Sequence, residues 1–238
     1  ALPGDADRDP NHGGPDGGAL GAYLARVEAN VSRRSGIVPG AEKRIVWSGD
    51  EGRRSEFVVV YLHGFSATRQ EIAPVPERVA KALGANLFET RLAGHGLERD
   101  RLEGVRAEDW LADGAEALAV ARRLGERIIL MGTSTGATLA VALARHPDFA
   151  KVDALVLLSP NWGPAAEGAY RATGPYGPQL IRLFAGAEHA WEAANDEQER
   201  YWTTRYPTTA IVEMMRLVDL AATLTPEVAV PRAMLIYS

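Results

Sequence analysis

Ser134 is the residue of this sequence best suited to nucleophilic chemistry. It lies between Gly132 and Gly136, directly after the apolar run 127–131 and directly before the helix-forming run 137–143. A serine on such a sharp strand-to-helix turn is exposed for attack on a carbonyl carbon. Glycine is needed on both sides, because side chains there would collide with the adjoining strand and helix. The context therefore predicts a nucleophilic serine, although the five-residue pattern alone would also fit an ordinary tight turn.

Two further segments that contain glycine and histidine follow predicted strands. Residues 63–66, here called the His-Gly loop, are His-Gly-Phe-Ser and come directly after the apolar run 57–62. Residues 91–96, the Gly-His-Gly loop, are Arg-Leu-Ala-Gly-His-Gly and follow the predicted strand 85–90. Residues 108–110, Glu-Asp-Trp, open the helix that precedes the strand before Ser134. Motifs in this order, each at the end of a predicted strand, are hard to obtain by accident.

Together these motifs resemble the α/β-hydrolase superfamily, and within it the capped serine esterases, monoacylglycerol lipases and serine aminopeptidase-like hydrolases. The resemblance covers residues 41–238. It implies that Ser134 is the nucleophile and that the backbone N–H groups of Phe65 and Thr135 form the oxyanion hole. It also implies cleavage of carboxylic esters, either lipid-like monoesters or small acyl esters, through an acyl-enzyme. An amide or peptide hydrolase of the same fold is an alternative, because the same machinery cleaves both bonds.

The order of predicted elements indicates the α/β class, because short β-rich runs alternate with helical patterns. We expect an α/β-hydrolase fold, with a mostly parallel sheet, helices on both faces and a helical cap insertion. The turn-rich segment 48–52 favours an antiparallel hairpin between the first two strands. The predicted strands are 43–47, 57–62, 85–90, 127–131, 154–159 and 231–238, and the predicted helices are 18–31, 71–83, 107–124 and 135–145.

The chain divides into four predicted segments. Residues 1–17 are rich in Gly, Pro and Asp and predict a flexible leader, and residues 18–160 form the first part of the core. After Ser159 the alternation stops, and residues 161–225 are too many for a simple crossover helix, which predicts a cap. Residues 226–238 continue the core.

Aromatic residues are concentrated in the predicted cap, with eight of them between positions 162 and 206. Trp162, Trp191 and Trp202 are candidate substrate-binding residues, because pockets for acyl or leaving groups are concave and mostly apolar. The alternative is that the aromatic side chains form a small core of the cap itself.

None of the five histidines of the chain is a convincing general base. His12 lies in the leader, and the resemblance gives His63 and His95 structural roles. His146 follows the helix 135–145, where a histidine is most often a cap. His189 lies in the predicted cap, and a base on such an element would be poorly fixed.

In the family the acid follows the second strand beyond the serine strand, and the histidine follows the last strand. We therefore expect the triad acid just past Ser238 and the histidine some tens of residues later, with the family's C-terminal strand and helix missing from this chain. The less common acid position holds Asn161, which cannot carry the charge. Two hypotheses follow: a serine hydrolase whose C-terminal segment is not included, or a catalytically inactive hydrolase-like binding protein.

Composition restricts the partners. The 238 residues include 26 Lys and Arg against 31 Asp and Glu, a net charge of −5, which argues against nucleic acid or an anionic membrane as the main partner. There is no cysteine, no H-E-x-x-H spacing, no phosphate loop and no dinucleotide motif, so we expect no metal and no cofactor. No apolar run approaches a membrane span, and both the cytoplasm and export after signal removal are compatible with the sequence.

Overall fold

The computed structural model describes residues 17–146, 149, 152–163, 174, 176–224 and 231–237. The leader predicted for residues 1–17 lies outside these ranges, apart from Gly17, at which the first helix begins. Among the described helices, none is both long and apolar enough to cross a membrane.

Helices and strands alternate as the sequence predicted. The helices are α1 (Gly17–Ser35), α2 (Val75–Leu83), α3 (Ala107–Leu124), α4 (Thr135–Arg145), α5 (Gly177–Ala185), α6 (Asp196–Tyr201) and α7 (Thr208–Thr223), with a 3-10 helix at Arg69–Ile72. The strands are β1 (Arg44–Val46), β2 (Ser55–Leu62), β3 (Asn86–Glu89), β4 (Gly125–Thr133), β5 (Ala154–Leu158), β6 (Glu188–Ala190), β7 (Arg205–Pro207) and β8 (Arg232–Ile236). The helix predicted from position 71 begins at Val75, because the residues before it form the separate 3-10 turn.

Six strands form the main sheet in the order β1-β3-β2-β4-β5-β8, and β6 and β7 form a separate antiparallel pair. All neighbours in the main sheet are parallel except β1, which is antiparallel to β3. The predicted hairpin between the first two strands is therefore wrong. β2 is apolar on both faces and takes a central position between β3 and β4, while Arg44 of β1 pairs with Glu89 of β3 at 2.6 Å.

The sheet is covered on both faces, which explains why its central strands are continuously apolar. Alternate residues of β2 join two different clusters: Val58, Val60 and Leu62 pack in the cluster with Trp110 of α3. Val59 and Tyr61 pack on the other face, against the side of α2. Fully burying an aliphatic side chain of this size stabilises the fold by roughly 1.5–3 kcal/mol. The rigid sheet that results fixes the strand ends at which the candidate site lies.

The connection from β5 to β8 includes α7, which packs against α4 and α3. Because β5 and β8 are parallel, the chain must return to the end of the sheet at which β5 began, and a helix such as α7 makes that return possible. β8 is the edge strand of the described sheet, and its residues Met234, Leu235 and Ile236 are 59%, 48% and 45% exposed.

Candidate active site

Ser134 stands at the junction where β4 ends and α4 begins. Its backbone has φ 51° and ψ −116°, a conformation that residues other than glycine rarely adopt. The Ser134 N–H donates to the carbonyl of Leu158 on β5 at 2.9 Å, and the Ser134 carbonyl accepts the N–H of Ala137 at 3.0 Å. The turn is therefore held by a neighbouring strand on one side and by the first turn of α4 on the other.

The glycines on either side of Ser134 have no room for a side chain. A β-carbon on Gly136 would overlap the carbonyl oxygen of Leu62, and one on Gly132 would lie 2.5 Å from the carbonyl oxygen of Gly136. Both obstacles are backbone atoms of the sheet and helix, which cannot swing aside as a flexible side chain would. The steric requirement for glycine is therefore imposed by the main chain of β2 and α4.

The His-Gly loop lies beside Ser134, at the end of the parallel neighbour of β4. The position that a Gly64 side chain would take is 3.5 Å from the Ser134 β-carbon. Leu62 pairs with Gly132 across the two strands, so Phe65 and Thr135 follow strand ends that are directly adjacent. Thr135 is also the first residue of α4, where the helix dipole favours negative charge. The two expected N–H donors therefore lie at one end of the sheet.

His63 and His95 are buried next to each other, with ring centroids 5.0 Å apart. His63 Nε2 accepts the Leu92 N–H at 3.0 Å, so its proton is on Nδ1, which donates to the Gly64 carbonyl at 2.9 Å. Burial lowers the pKa of His63 well below 6.5, and it lowers the pKa of His95 to about 4. Both rings are neutral at neutral pH, and His63 ties the His-Gly loop to the Gly-His-Gly loop.

The other histidines and Asn161 occupy different places. His146 is the C-terminal cap of α4, as predicted, at the opposite end of that helix from Ser134, and its ring stacks on Phe149. His189 is exposed on β6, and His12 lies outside the described residues. Asn161 supports the serine turn, because its N–H donates to the Ser134 carbonyl at 3.2 Å.

Glu71, in the 3-10 helix, is a candidate that the sequence analysis missed. Its Oε1 accepts the Tyr61 hydroxyl and the Gly64 N–H, both at 2.6 Å, and the Tyr61 hydroxyl lies 3.0 Å from the hydroxyl of Thr133 at the end of β4. Burial raises its pKa to about 7. The available signal was weak: an acidic residue shortly after a His-Gly pair, at the start of a segment with helical periodicity.

The three tryptophans predicted to bind substrate lie on different parts of the structure. Trp162 follows β5, is 46% exposed, and donates its ring N–H to the Tyr237 hydroxyl at 3.3 Å. Trp191 follows β6 and is partly buried against the main core cluster. Trp202 directly follows α6, where its backbone N–H caps the helix. Trp162 is the one adjacent in sequence to a residue that bonds to the serine turn.

Residues of the predicted cap contact the His-Gly loop directly. The Thr203 N–H donates to the Ser66 carbonyl at 2.6 Å. The Tyr206 ring, on β7, meets the Phe65 ring edge to face at 5.1 Å. On its other sides Phe65 meets the rings of His95 and Trp110, at 5.9 Å and 6.0 Å. The side chain of Phe65 is thus confined by the core and by Tyr206 of the predicted cap. Residues 164–173, 175 and 225 of the predicted cap lie outside the described residues.

Comparison with known proteins agrees with this architecture. Residues 59–237 match the model of the alpha/beta hydrolase family. A thermostable monoacylglycerol lipase from Bacillus sp. (strain H-257) is 32% identical over 119 residues, which are 50% of this chain and 45% of the lipase. The match therefore spans about half the length of that relative.

Two solved structures share the fold at low sequence identity. One, from work on the metagenome-derived lipolytic enzymes LipS and LipT, has a TM-score of 0.67 and 22% identity, over 84% of this chain and 77% of the other. The monoacylglycerol lipase of Paleococcus ferrophilus has a TM-score of 0.55 and 16% identity, over 82% of this chain and 88% of the other. With the family match over most of its length, the chain belongs to the alpha/beta hydrolase family.

Proposed function

We propose that the protein is a serine hydrolase of carboxylic esters, with lipid-like monoesters or small acyl esters as substrates. The observation that carries the proposal is the backbone of Ser134, which adopts φ 51° between two glycines at the start of α4. A residue other than glycine in such a conformation costs about 1–3 kcal/mol, and strain of this kind is concentrated at functional sites.

In the proposed reaction the Ser134 hydroxyl attacks the ester carbonyl carbon while a base takes its proton. The N–H groups of Phe65 and Thr135 stabilise the oxyanion that forms, the alcohol leaves with a proton, and water then hydrolyses the acyl-enzyme. His63 and His95 do not suit the role of base, because burial lowers the pKa of both rings so far that neither would hold the serine proton. The Nε2 lone pair of His63 is also occupied, since it accepts the Leu92 N–H. In the family order, a histidine serves as this base and an aspartate as its acid partner.

The lipase relative supports a lipid-like ester as substrate, since it is named a monoacylglycerol lipase and shares 32% identity over the matched half. We propose that segment 161–225 covers Ser134 and that Trp162, Trp191 and Trp202 contact the acyl or leaving group. Trp162 has the best support of the three, because it is exposed and follows Asn161, which bonds to the serine turn.

Labelling with a fluorophosphonate tests the proposal directly. We expect the full protein to incorporate one equivalent of label, Ser134→Ala to incorporate none, and Ser32→Ala, a change on the exposed face of α1, to behave like wild type. The rate of hydrolysis should then be compared among p-nitrophenyl esters of increasing chain length, a monoacylglycerol and a p-nitroanilide amide.

A wild-type protein that does not react, at concentrations that label ordinary serine esterases, would contradict the enzyme proposal in favour of a binding protein. Label retained by Ser134→Ala would assign the nucleophile elsewhere. Turnover of the anilide without turnover of any ester would replace the ester hydrolase by an amide hydrolase.

A further inference from the structure

The carboxyl group of Glu71 lies against the His-Gly loop and is partly buried there. One oxygen, Oε1, accepts two hydrogen bonds, from the Tyr61 hydroxyl on β2 and from the Gly64 N–H. The Tyr61 hydroxyl in turn lies 3.0 Å from the hydroxyl of Thr133, the residue before Ser134. A single carboxyl therefore joins the His-Gly loop to the ends of both strands that deliver the expected oxyanion donors.

Gly64 is closely surrounded by this network. A β-carbon there would lie 3.0 Å from Glu71 Oε2 and 3.4 Å from the Thr133 carbonyl oxygen, and glycine is the residue with the greatest backbone freedom, so a hydrogen bond to its N–H restrains the loop. Gly64 immediately precedes Phe65, and a rotation of the peptide between them would move the Phe65 N–H. The bond from the Gly64 N–H to Glu71 fixes the peptide unit between His63 and Gly64, which directly precedes the peptide between Gly64 and Phe65.

We propose that Glu71 is a positioning residue for the oxyanion hole, whose carboxyl holds Gly64 against the end of β4 and thereby keeps the Phe65 N–H in place. The inference rests on the proposed function, because it concerns the oxyanion of that reaction. Glu71 does not touch the reacting atoms in this arrangement and acts through the His-Gly loop.

The charge of Glu71 changes in the neutral range, because burial raises its pKa to about 7. Tyr61, which faces it from β2, has its own pKa raised well above 10 by burial and stays a donor. On the same 3-10 helix, Arg69 pairs with Glu89. The packed helix α6 carries four charged residues, Asp196, Glu197, Glu199 and Arg200. The Gly64 hydrogen bond becomes charge-assisted, and so stronger, as the pH rises through about 7.

Three variants test whether Glu71 acts as a hydrogen-bond acceptor or only fills space beside the His-Gly loop. Glu71→Gln keeps an oxygen that can accept both hydrogen bonds, Glu71→Leu removes it at similar volume, and Gln70→Leu is the matched control. Gln70 is the neighbouring residue, whose side chain bonds to the Gly40 carbonyl instead of the loop. The measurements are kcat and KM for the best ester found for the full protein.

We expect Glu71→Leu to lower kcat roughly 10- to 100-fold with KM within about 3-fold, since loss of one whole oxyanion donor costs about 10²–10³. Glu71→Gln and Gln70→Leu should keep kcat within about 3-fold. A kcat of Glu71→Leu close to wild type would overturn the proposal, as would an equal loss in Glu71→Gln. If Glu71→Leu does not fold, Glu71→Asp replaces it, because the shorter side chain cannot reach the same donors.

A second readout does not depend on activity. In protein labelled with ¹⁵N-glycine, the Gly64 amide proton of wild type should shift with a midpoint near pH 7, and this titration should vanish in Glu71→Gln. If the wild-type protein is inactive but shows the titration, the proposed function is refuted and the hydrogen bond between Gly64 and Glu71 is confirmed. An active wild-type protein without the titration would refute the role of Glu71 alone.

Discussion

The buried carboxyl of Glu71 should make the protein less stable as the pH rises through neutrality. Burial raises its pKa from 4.5 to about 7, so the folded protein binds this proton more tightly than the unfolded chain does. The stabilisation from the protonated form is complete below pH 4.5 and is lost as the pH rises through about 7. At about 1.4 kcal/mol per pKa unit, the loss amounts to roughly 3 kcal/mol in the free energy of unfolding.

Replacing Glu71 by glutamine removes this titration and keeps the side-chain shape. The free energy of unfolding of Glu71→Gln, relative to wild type, should therefore rise by roughly 2–3 kcal/mol between about pH 5 and about pH 8.5. Urea denaturation across that range measures it, with constant slopes as the check on two-state behaviour. Glu56→Gln, the same change at an exposed position of β2, should stay within about 0.5 kcal/mol of wild type. A difference between Glu71→Gln and wild type that does not vary with pH would refute the reasoning.

Two further substitutions test the close packing of the serine turn and a buried ion pair of the fold through the free energy of unfolding, again in urea. Gly136→Ala drives a β-carbon into backbone of β2 and should cost more than about 4 kcal/mol, whereas Gly49→Ala meets open space and should be nearly neutral; equal stability of the two would contradict the steric argument. Lys43→Met leaves the buried carboxylate of Glu116, now 2.7 Å from the Lys43 ammonium, without its partner and should cost about 3–5 kcal/mol. The control is Lys81→Met at an exposed position. If Lys43→Met loses no more free energy of unfolding than this control, the buried Glu116 carboxylate does not depend on Lys43 for its stabilisation.

The elements predicted most accurately from the sequence are those that depend on the pattern of residues within the element itself. Helices α3 and α4 begin and end where their periodicity predicted, and the apolar runs 57–62 and 154–158 lie in strands of the sheet, β2 largely buried and β5 partly buried. Strand pairing does not depend on such a local pattern. The prediction that β1 pairs with β2 was wrong for this reason. The two-sided burial of β2 and the ion pair between Arg44 and Glu89, which are distant in sequence, place β1 beside β3 instead.

The same distinction applies to the candidate site. The serine turn could be inferred because both of its glycines stand two positions from Ser134 and form a pattern that is visible in the sequence, whereas the positions of Phe65 and Thr135 came from resemblance to a family. Glu71 could not be inferred in this way. Its partners lie on β2, in the His-Gly loop and at the end of β4, and in the sequence it is only one polar residue near the start of a helical pattern.

The Gly-His-Gly loop has a support of the same kind, which gives the Glu-Asp-Trp segment a physical meaning. The Ala93 N–H donates to Asp113 Oδ2 at 2.6 Å, and the Ala93 carbonyl accepts the Trp110 ring N–H at 3.0 Å. Trp110 and Asp113 are three residues apart and thus on one face of α3, so a single helix holds Ala93 from both sides. Because Trp110 also contacts the Phe65 ring, α3 and Glu71 restrain the His-Gly loop independently. Changes at these supports should therefore act on kcat before they act on KM, since they alter the geometry offered to the transition state more than the surface offered to the substrate.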